Sequence, residues 1–167
     1  MAEQNFPIRP LTLNDKKLAM DFFDQMGPAT LQFFNRNNMH RDSLIACFEG
    51  KRPDKRNFIA VGINEHGEEE IAGYVFLWDL NFKTPWLGIC VSEKWQGHGL
   101  GGKLMAYVED YCRKLGKGGI FLTTAHENIA GQKLYTRSGY REIGLHEGEL
   151  LYFRFFEDAY PEKDGTI

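Results

Sequence analysis

A chain of 167 residues, 43% hydrophobic and 26% charged, is sized for one globular domain with a proper core. Its formal net charge of −3 provides no overall field to attract nucleic acid, no apolar run approaches the length of a membrane span, and residues 1–20 lack the apolar stretch of a secretion signal. The three cysteines, Cys47, Cys90 and Cys112, are far apart and show no CxxC spacing, so they argue against a disulfide framework or zinc site. They read as small buried hydrophobes in a reduced, cytoplasmic protein.

In chain order, Phe6 to Pro10 reads as a short strand, and Thr12 to Asp15 has the spacing of a capping box that opens a helix. Leu13, Lys17, Leu18, Met20, Phe22 and Phe23 keep helical spacing until Gly27 and Pro28 stop it. Residues 29–40 mix polar and aromatic side chains without a period and predict a loop or broken helix. Arg41 to Glu49 predicts a second short helix with Leu44, Ile45 and Phe48 on one side, ended by Gly50. Lys51 to Arg56 is a basic connector, read as a solvated linker with an anion-binding segment as the alternative.

Phe58 to Ile63, Ile71 to Asp79 and Trp86 to Val91 read as three strands joined by short turns, an antiparallel meander. A glycine-dense loop follows and opens a helix from about Gly99 to Leu115, with Leu104, Val108, Tyr111, Cys112 and Leu115 on its apolar face. Ile120 to Thr124 is a further strand, and Asn128 caps a helix that runs to Arg137 and ends at Gly139. Tyr140 to Leu145 and Leu150 to Phe156 form a closing hairpin, and Glu157 to Ile167 is a polar, loose tail. The order is β, α, α, βββ, α, β, α, ββ, one mixed α/β domain over residues 1–167. The link from Val91 through the long helix to Ile120 should join parallel neighbours by a right-handed crossover.

The chemistry concentrates in the stretch Val91 to Leu104, where a strand runs through glycines into a helix start. Glycines let amides crowd an anion without Cβ interference, and a helix N-terminus adds unpaired donors and a favourable dipole. That combination is a diphosphate cradle. Gly97-x-Gly99-x-x-Gly102 fits the dinucleotide fingerprint, but an antiparallel meander precedes it and no further parallel βα units follow. Gly97-x-x-x-x-Gly102-Lys103 mimics a P-loop, but Leu104 stands where a Ser or Thr should hold Mg²⁺. The third pattern is Gln96-x-x-Gly99-x-Gly101 after the meander, joined by Asn128-x-Ala130-x-x-x-Leu134-Tyr135-x-x-x-Gly139-Tyr140 after the next strand. Together these resemble the two acetyl-CoA-binding motifs of the GNAT acyltransferase superfamily, and the likeness covers roughly residues 6–156.

The resemblance implies a GNAT-like fold: a central, mostly antiparallel sheet with one splayed parallel strand pair and flanking helices. The pantetheine arm of coenzyme A would lie in the splay against backbone of Ile89, Cys90 and Val91. Amides of Gln96, Gly97, His98, Gly99, Leu100 and Gly101, with those around Gly102 and Lys103, would hold the pyrophosphate, and Asn128 would touch the cofactor arm or act as a plain helix cap. Tyr135 would reach the thioester sulfur and protonate or hydrogen-bond the departing group. The implied reaction is direct acetyl transfer from acetyl-CoA to a primary amine, with no metal. Asp79 is a candidate base, with Glu127, His126 and ordered water as alternatives. Cys90 is rejected as a nucleophile because no activating base adjoins it.

In this family the acceptor is chosen by the N-terminal helices and the strand turns, here Phe33, Phe34, Asn35, Arg36, Asn37 and Asn38 with Trp78, Phe82 and Trp86. These suit a small-molecule or peptide amine as well as plain packing. Neither nucleic acid nor membrane is expected as a partner, and a homodimer is the assembly to test. A non-catalytic acyl-CoA sensor is the alternative function, disfavoured by the presence of Tyr135.

Overall fold

The computed structural model describes residues 5–35 and 38–160. The strands are β1 (Ile8–Pro10), β2 (Arg56–Ile63), β3 (Glu69–Trp78), β4 (Trp86–Val91), β5 (Gly119–Thr124), β6 (Arg141–His146) and β7 (Glu149–Phe155). The helices are α1 (Lys16–Asp24), α2 (Pro28–Phe33), α3 (Met39–Phe48), α4 (Leu100–Lys114) and α5 (Ile129–Arg137). All the strands join one sheet in the order β1-β2-β3-β4-β5-β7-β6, antiparallel except between β4 and β5. Among the described residues, no helix is long and apolar enough to cross a membrane.

Alternation along β2 and β3 feeds two cores. Phe58, Ala60, Val75 and Leu77 face Leu104, Met105, Val108 and Cys112 of α4. Ile59, Val61, Tyr74 and Phe76 face Ala19, Phe22 and Phe23 of α1 and Leu44 of α3. With both faces covered, these strands read in sequence as nearly unbroken apolar runs. Leu115, expected on the apolar face of α4, lies just past its end and is exposed.

Ionic and polar clips fix the helices. Arg9 donates to both Asp15 carboxylate oxygens at 2.7 and 2.8 Å, and the Thr12 N–H adds a third bond at 2.8 Å. The guanidinium holds the Asp15 carboxyl down at about 2, so β1 and the start of α1 stay locked unless the acid is protonated. The stretch 29–40, expected as a loop or broken helix, is a broken helix: α2 forms because Pro28 presets its first turn and Glu93 accepts from the Thr30 N–H and hydroxyl at 3.2 and 2.8 Å. Helix α3 begins at Met39 rather than Arg41, since buried Asn35 accepts from the His40 and Arg41 amides at 3.1 and 3.3 Å. The Glu93 and Asn35 acceptors both come from outside the helix they start.

Strands β4 and β5 touch as a parallel pair only at Trp86 and Phe121, next to a Phe121 N–H to Pro85 carbonyl bond of 3.0 Å. Beyond that point they part. At the other end of the chain, Phe156 is fully buried, Asp158 pairs with Arg113 at 2.5 Å and Tyr160 stacks on Phe155. The loose tail expected from Glu157 is therefore held as far as Tyr160; residues 161–167 lie outside the described residues.

Candidate active site

The segment after β4 carries the first half of the site. A single 3-10 turn, Glu93–Trp95, is anchored by Trp95 Nε1 and Lys94 Nζ on Glu70, each at 2.8 Å, and by the Trp95 ring against Phe6. Gly97 and Gly99 then adopt φ of +82° and +74°, a region costly for residues with a Cβ, and Gly99 becomes the N-cap of α4. Among the described residues, the amides of Gly97, His98, Gly99, Leu100, Gly101 and Gly102 have no protein acceptor. Six consecutive donors thus stand at the positive end of a 15-residue helix. The expected ends of this row need correction. The Gln96 N–H is bonded to the Glu93 carbonyl and the Lys103 N–H to the Gly99 carbonyl, each at 3.3 Å. The exposed Lys103 side chain still adds a cation beside the row.

The gap between β4 and β5 opens beside this loop. Ser92 N–H bonds the Ala72 carbonyl at 2.9 Å, and the antiparallel register pairs Cys90 with Tyr74. By the alternation of such ladders, Cys90 and Gly88 spend their backbone groups on β3, whereas Ile89 and Val91 turn theirs into the gap. Gln96 Nε2 donates to that Val91 carbonyl at 3.1 Å. Cys90 is therefore corrected as a backbone contact. Its thiol is buried and pushed up to about 12, by burial first and Glu93 second, so it is inert as well.

Tyr135 projects from α5 toward the same gap and lines a cleft of about 1000 Å³ with Ile89, Thr124, Asn128 and Glu149. Its ring packs beside Tyr140 and Tyr152 and is 7% exposed. Burial drives its pKa well above the ordinary phenol value, with Cys90 adding to the rise and a Thr124 hydrogen bond opposing it. The hydroxyl therefore keeps its proton and serves as a hydrogen-bond donor. Asn128 is doubly engaged: Oδ1 accepts from the Gly131 N–H at 3.1 Å and Nδ2 donates to Thr124 Oγ1 at 3.0 Å. It caps α5 and holds Thr124 beside Tyr135.

The aromatic side of the cleft is walled by Phe34, Phe76, Trp78 and Trp86, the two indoles stacking at 6.1 Å and 14°. Asp79 lines it, on a residue with φ of +56°, its N–H donating to Asp54 at 3.2 Å. Glu127 and His126 are exposed and do not line this cleft, so they leave the set of candidate bases. Phe82 is exposed and outside it, Asn35 is consumed as a cap, and Arg36 and Asn37 lie outside the described residues. His40, Lys55 and Glu149 are among the lining residues not expected at this site, Lys55 belonging to the connector whose alternative reading is an anion-binding segment. Glu149 follows a hairpin turn, and only the fold brings its charge to bear on Tyr135. His40, packed against Phe34 and Phe76, is lowered to about 4 by burial and then by Lys55, and so is neutral near pH 7.

Residues 20–140 match the model of the acetyltransferase (GNAT) family. The chain belongs to that family. Streptothricin acetyltransferase of Streptomyces lavendulae is 30% identical to this GNAT protein over 101 residues, 58% of this chain and 50% of that one. The chain thus spans about half the length of this curated relative. PaiA N-acetyltransferase from Thermoplasma acidophilum, solved with coenzyme A, superposes with a TM-score of 0.70 at 12% identity, covering 91% of this chain and 99% of that chain. Spermidine N-acetyltransferase from Vibrio cholerae, solved with coenzyme A and spermine, gives 0.71 at 15% identity, covering 95% and 99%. At such identities the likeness is one of fold. The site of this GNAT chain suits a diphosphate on a long amide-bearing arm. Among the described residues, six successive amides have no protein acceptor, a Cβ on Gly97, Gly99 or Gly102 would meet nothing beyond the local chain within 4 Å, and Ile89 and the Val91 N–H turn toward the gap.

Proposed function

We propose that this protein transfers an acetyl group from acetyl-CoA to a primary amine by direct attack, with both substrates bound together. The observation that supports the reading best is the row of acceptor-free amides from Gly97 to Gly102, opening on the β4–β5 gap. Acetyl-CoA seated there supplies an acyl group activated as a thioester. Backbone amides in the gap are placed to hydrogen-bond the arm and to favour charge developing on the acyl oxygen. The Tyr135 hydroxyl, protonated across the physiological range, donates toward the sulfur side of the scissile bond. Glu149, the lining carboxylate whose charge acts on Tyr135, takes the amine's proton directly or through water, with Asp79 as the second carboxylate of the cleft. Cys90 is too high in pKa and too deeply buried for a covalent relay, which favours the direct route. The free thiols suit the reducing cytoplasm in which we place the enzyme.

The test is free-thiol release from acetyl-CoA across a panel of amines, preceded by a thermal-shift screen with acetyl-CoA, NAD and ATP. A ligand at 100 times its Kd should add about 2.7 kcal/mol of stability. Stabilisation by acetyl-CoA and amine-dependent thiol release are expected. Binding without release for any amine would make the protein an acyl-CoA sensor, and stabilisation by NAD or ATP alone would remove the reading.

A further inference from the structure

Lys55 lies in the basic run Lys51 to Arg56, read as solvated linker with an anion-binding segment as the alternative, yet it is 4% exposed. Its Nζ donates to Ser43 Oγ at 3.1 Å and lies 4.1 Å from the centre of the Phe76 ring. Among the described residues, no carboxylate forms an ion pair with it. Neighbouring Asp54 is spent on Arg52, at 2.9 and 3.1 Å, and on the Asp79 N–H. An ammonium has three donors and Ser43 takes one. A buried cation without a counter-ion is destabilising, and an apolar side chain of similar length would pack there without that penalty. Burial accordingly draws the Lys55 pKa down to about 8.

The position of this cation is specific. The Phe76 ring covers Gly88 so closely that a Cβ there would meet it at 2.2 Å, which sets Lys55 above the β3–β4 boundary. From there the aromatic wall of Phe76, Trp78 and Trp86 leads across β4 to Thr124, Tyr135 and Glu149. Glu149 on β7 is two strand intervals from β4, roughly 10 Å before the splay is added. Glu147 and Glu149 make the far end of the cleft acidic, which suits an ammonium and disfavours a second anionic charge there, whereas Asp79 sits on the Lys55 side with its N–H on Asp54. Arg52, the other lining cation, is already neutralised by Asp54. One buried positive charge faces one acidic region across an apolar trough.

We propose that Lys55 binds a carboxylate carried by the acetyl acceptor, so that the site takes amino carboxylic acids in preference to neutral amines or polyamines; this rests on the transferase reading above. The amine lies toward Tyr135 and Glu149 and the carboxylate replaces the counter-ion that Lys55 lacks. The test compares phenylalanine, leucine and glutamate with their C-terminal amides by thiol release, in wild type and Lys55→Met. Wild type should favour the acids by about 10- to 100-fold in kcat/KM, the range of a charge-assisted hydrogen bond. In Lys55→Met that ratio should collapse toward one, Lys55→Arg should restore part of it, and Lys55→Met should melt higher without ligand. Equal rates on acid and amide in wild type, an unchanged ratio in Lys55→Met, or a lower Tm would overturn the proposal. So would a preference for polyamines, or for aminoalkyl phosphates over the acids. If no amine is acetylated, the transferase reading fails, and the lysine site is judged separately by quenching of the cleft tryptophans. N-acetylphenylalanine should bind wild type more tightly than its amide does and should lose that advantage in Lys55→Met; equal binding rejects the site.

Discussion

The loop before α4 presents its binding groups on the backbone of one continuous segment, Gly97 to Gly102, whereas the acceptor cleft gathers side chains from α3, β3, β4, β5, β7 and the stretch leading into β2. A backbone site needs only small residues and a helix start, and in the proposed function it would recognise what every acyl-CoA shares. A side-chain site depends on which residues the fold happens to bring together, and there a single substitution should change the preferred amine if the proposed function holds. The family likeness belongs to the first half; the chemistry particular to this chain belongs to the second.

Four experiments can break or sharpen that contrast. Tyr135→Phe should lower kcat by about 10²- to 10³-fold, more than it changes the Kd for coenzyme A, as read by thiol release and calorimetry. An equal loss in both would move Tyr135 from the chemistry to the binding site. His40 gives the next effect. Its folded pKa, about 4, lies below the unfolded 6.5, so the unfolded chain takes up a proton first as pH falls. Stability should drop between pH 6.5 and 4 by up to about 3 kcal/mol, and His40→Phe should flatten that part of the Tm profile. An unchanged profile would show that His40 is not buried neutral.

Third, Gly102→Glu has open space for its Cβ and places an anion beside the amide row. The Kd for coenzyme A should rise about 10- to 100-fold with little change in Tm, since surface substitutions away from packed features shift stability by about 0.5 kcal/mol or less. A collapse in Tm would mean that the loop is structural rather than a cradle. The smallest effect concerns Tyr140, whose buried hydroxyl has no partner among the described residues. Tyr140→Phe should leave stability equal or raise it by up to about 1 kcal/mol, measured by urea unfolding. A clear loss would reveal a partner for that hydroxyl.

This contrast also explains what could be read from the residues alone. The meander, the parallel connection, the glycine loop and the Asn128 cap depend on neighbours in sequence, so their patterns survive as local signals. Lys55 reads as linker, with anion binding only as the alternative, because its burial depends on Phe76 and Ser43, 21 and 12 positions away. Loop and broken helix stay open for residues 29–40 because Glu93, 63 positions from Thr30, accepts from the first turn of α2. The inward face of β4 was open to error by one residue, and only the Ser92–Ala72 bond fixes that Ile89 and Val91, rather than Cys90, face the gap.

The most direct test of the cradle is amide chemical-shift mapping of the protein on addition of coenzyme A. The largest displacements should fall on Gly97 to Gly102, then on Ile89 and Val91, with Cys90 moving less. Unmoved loop amides at saturating coenzyme A, or the same displacements with NAD in its place, would contradict the account.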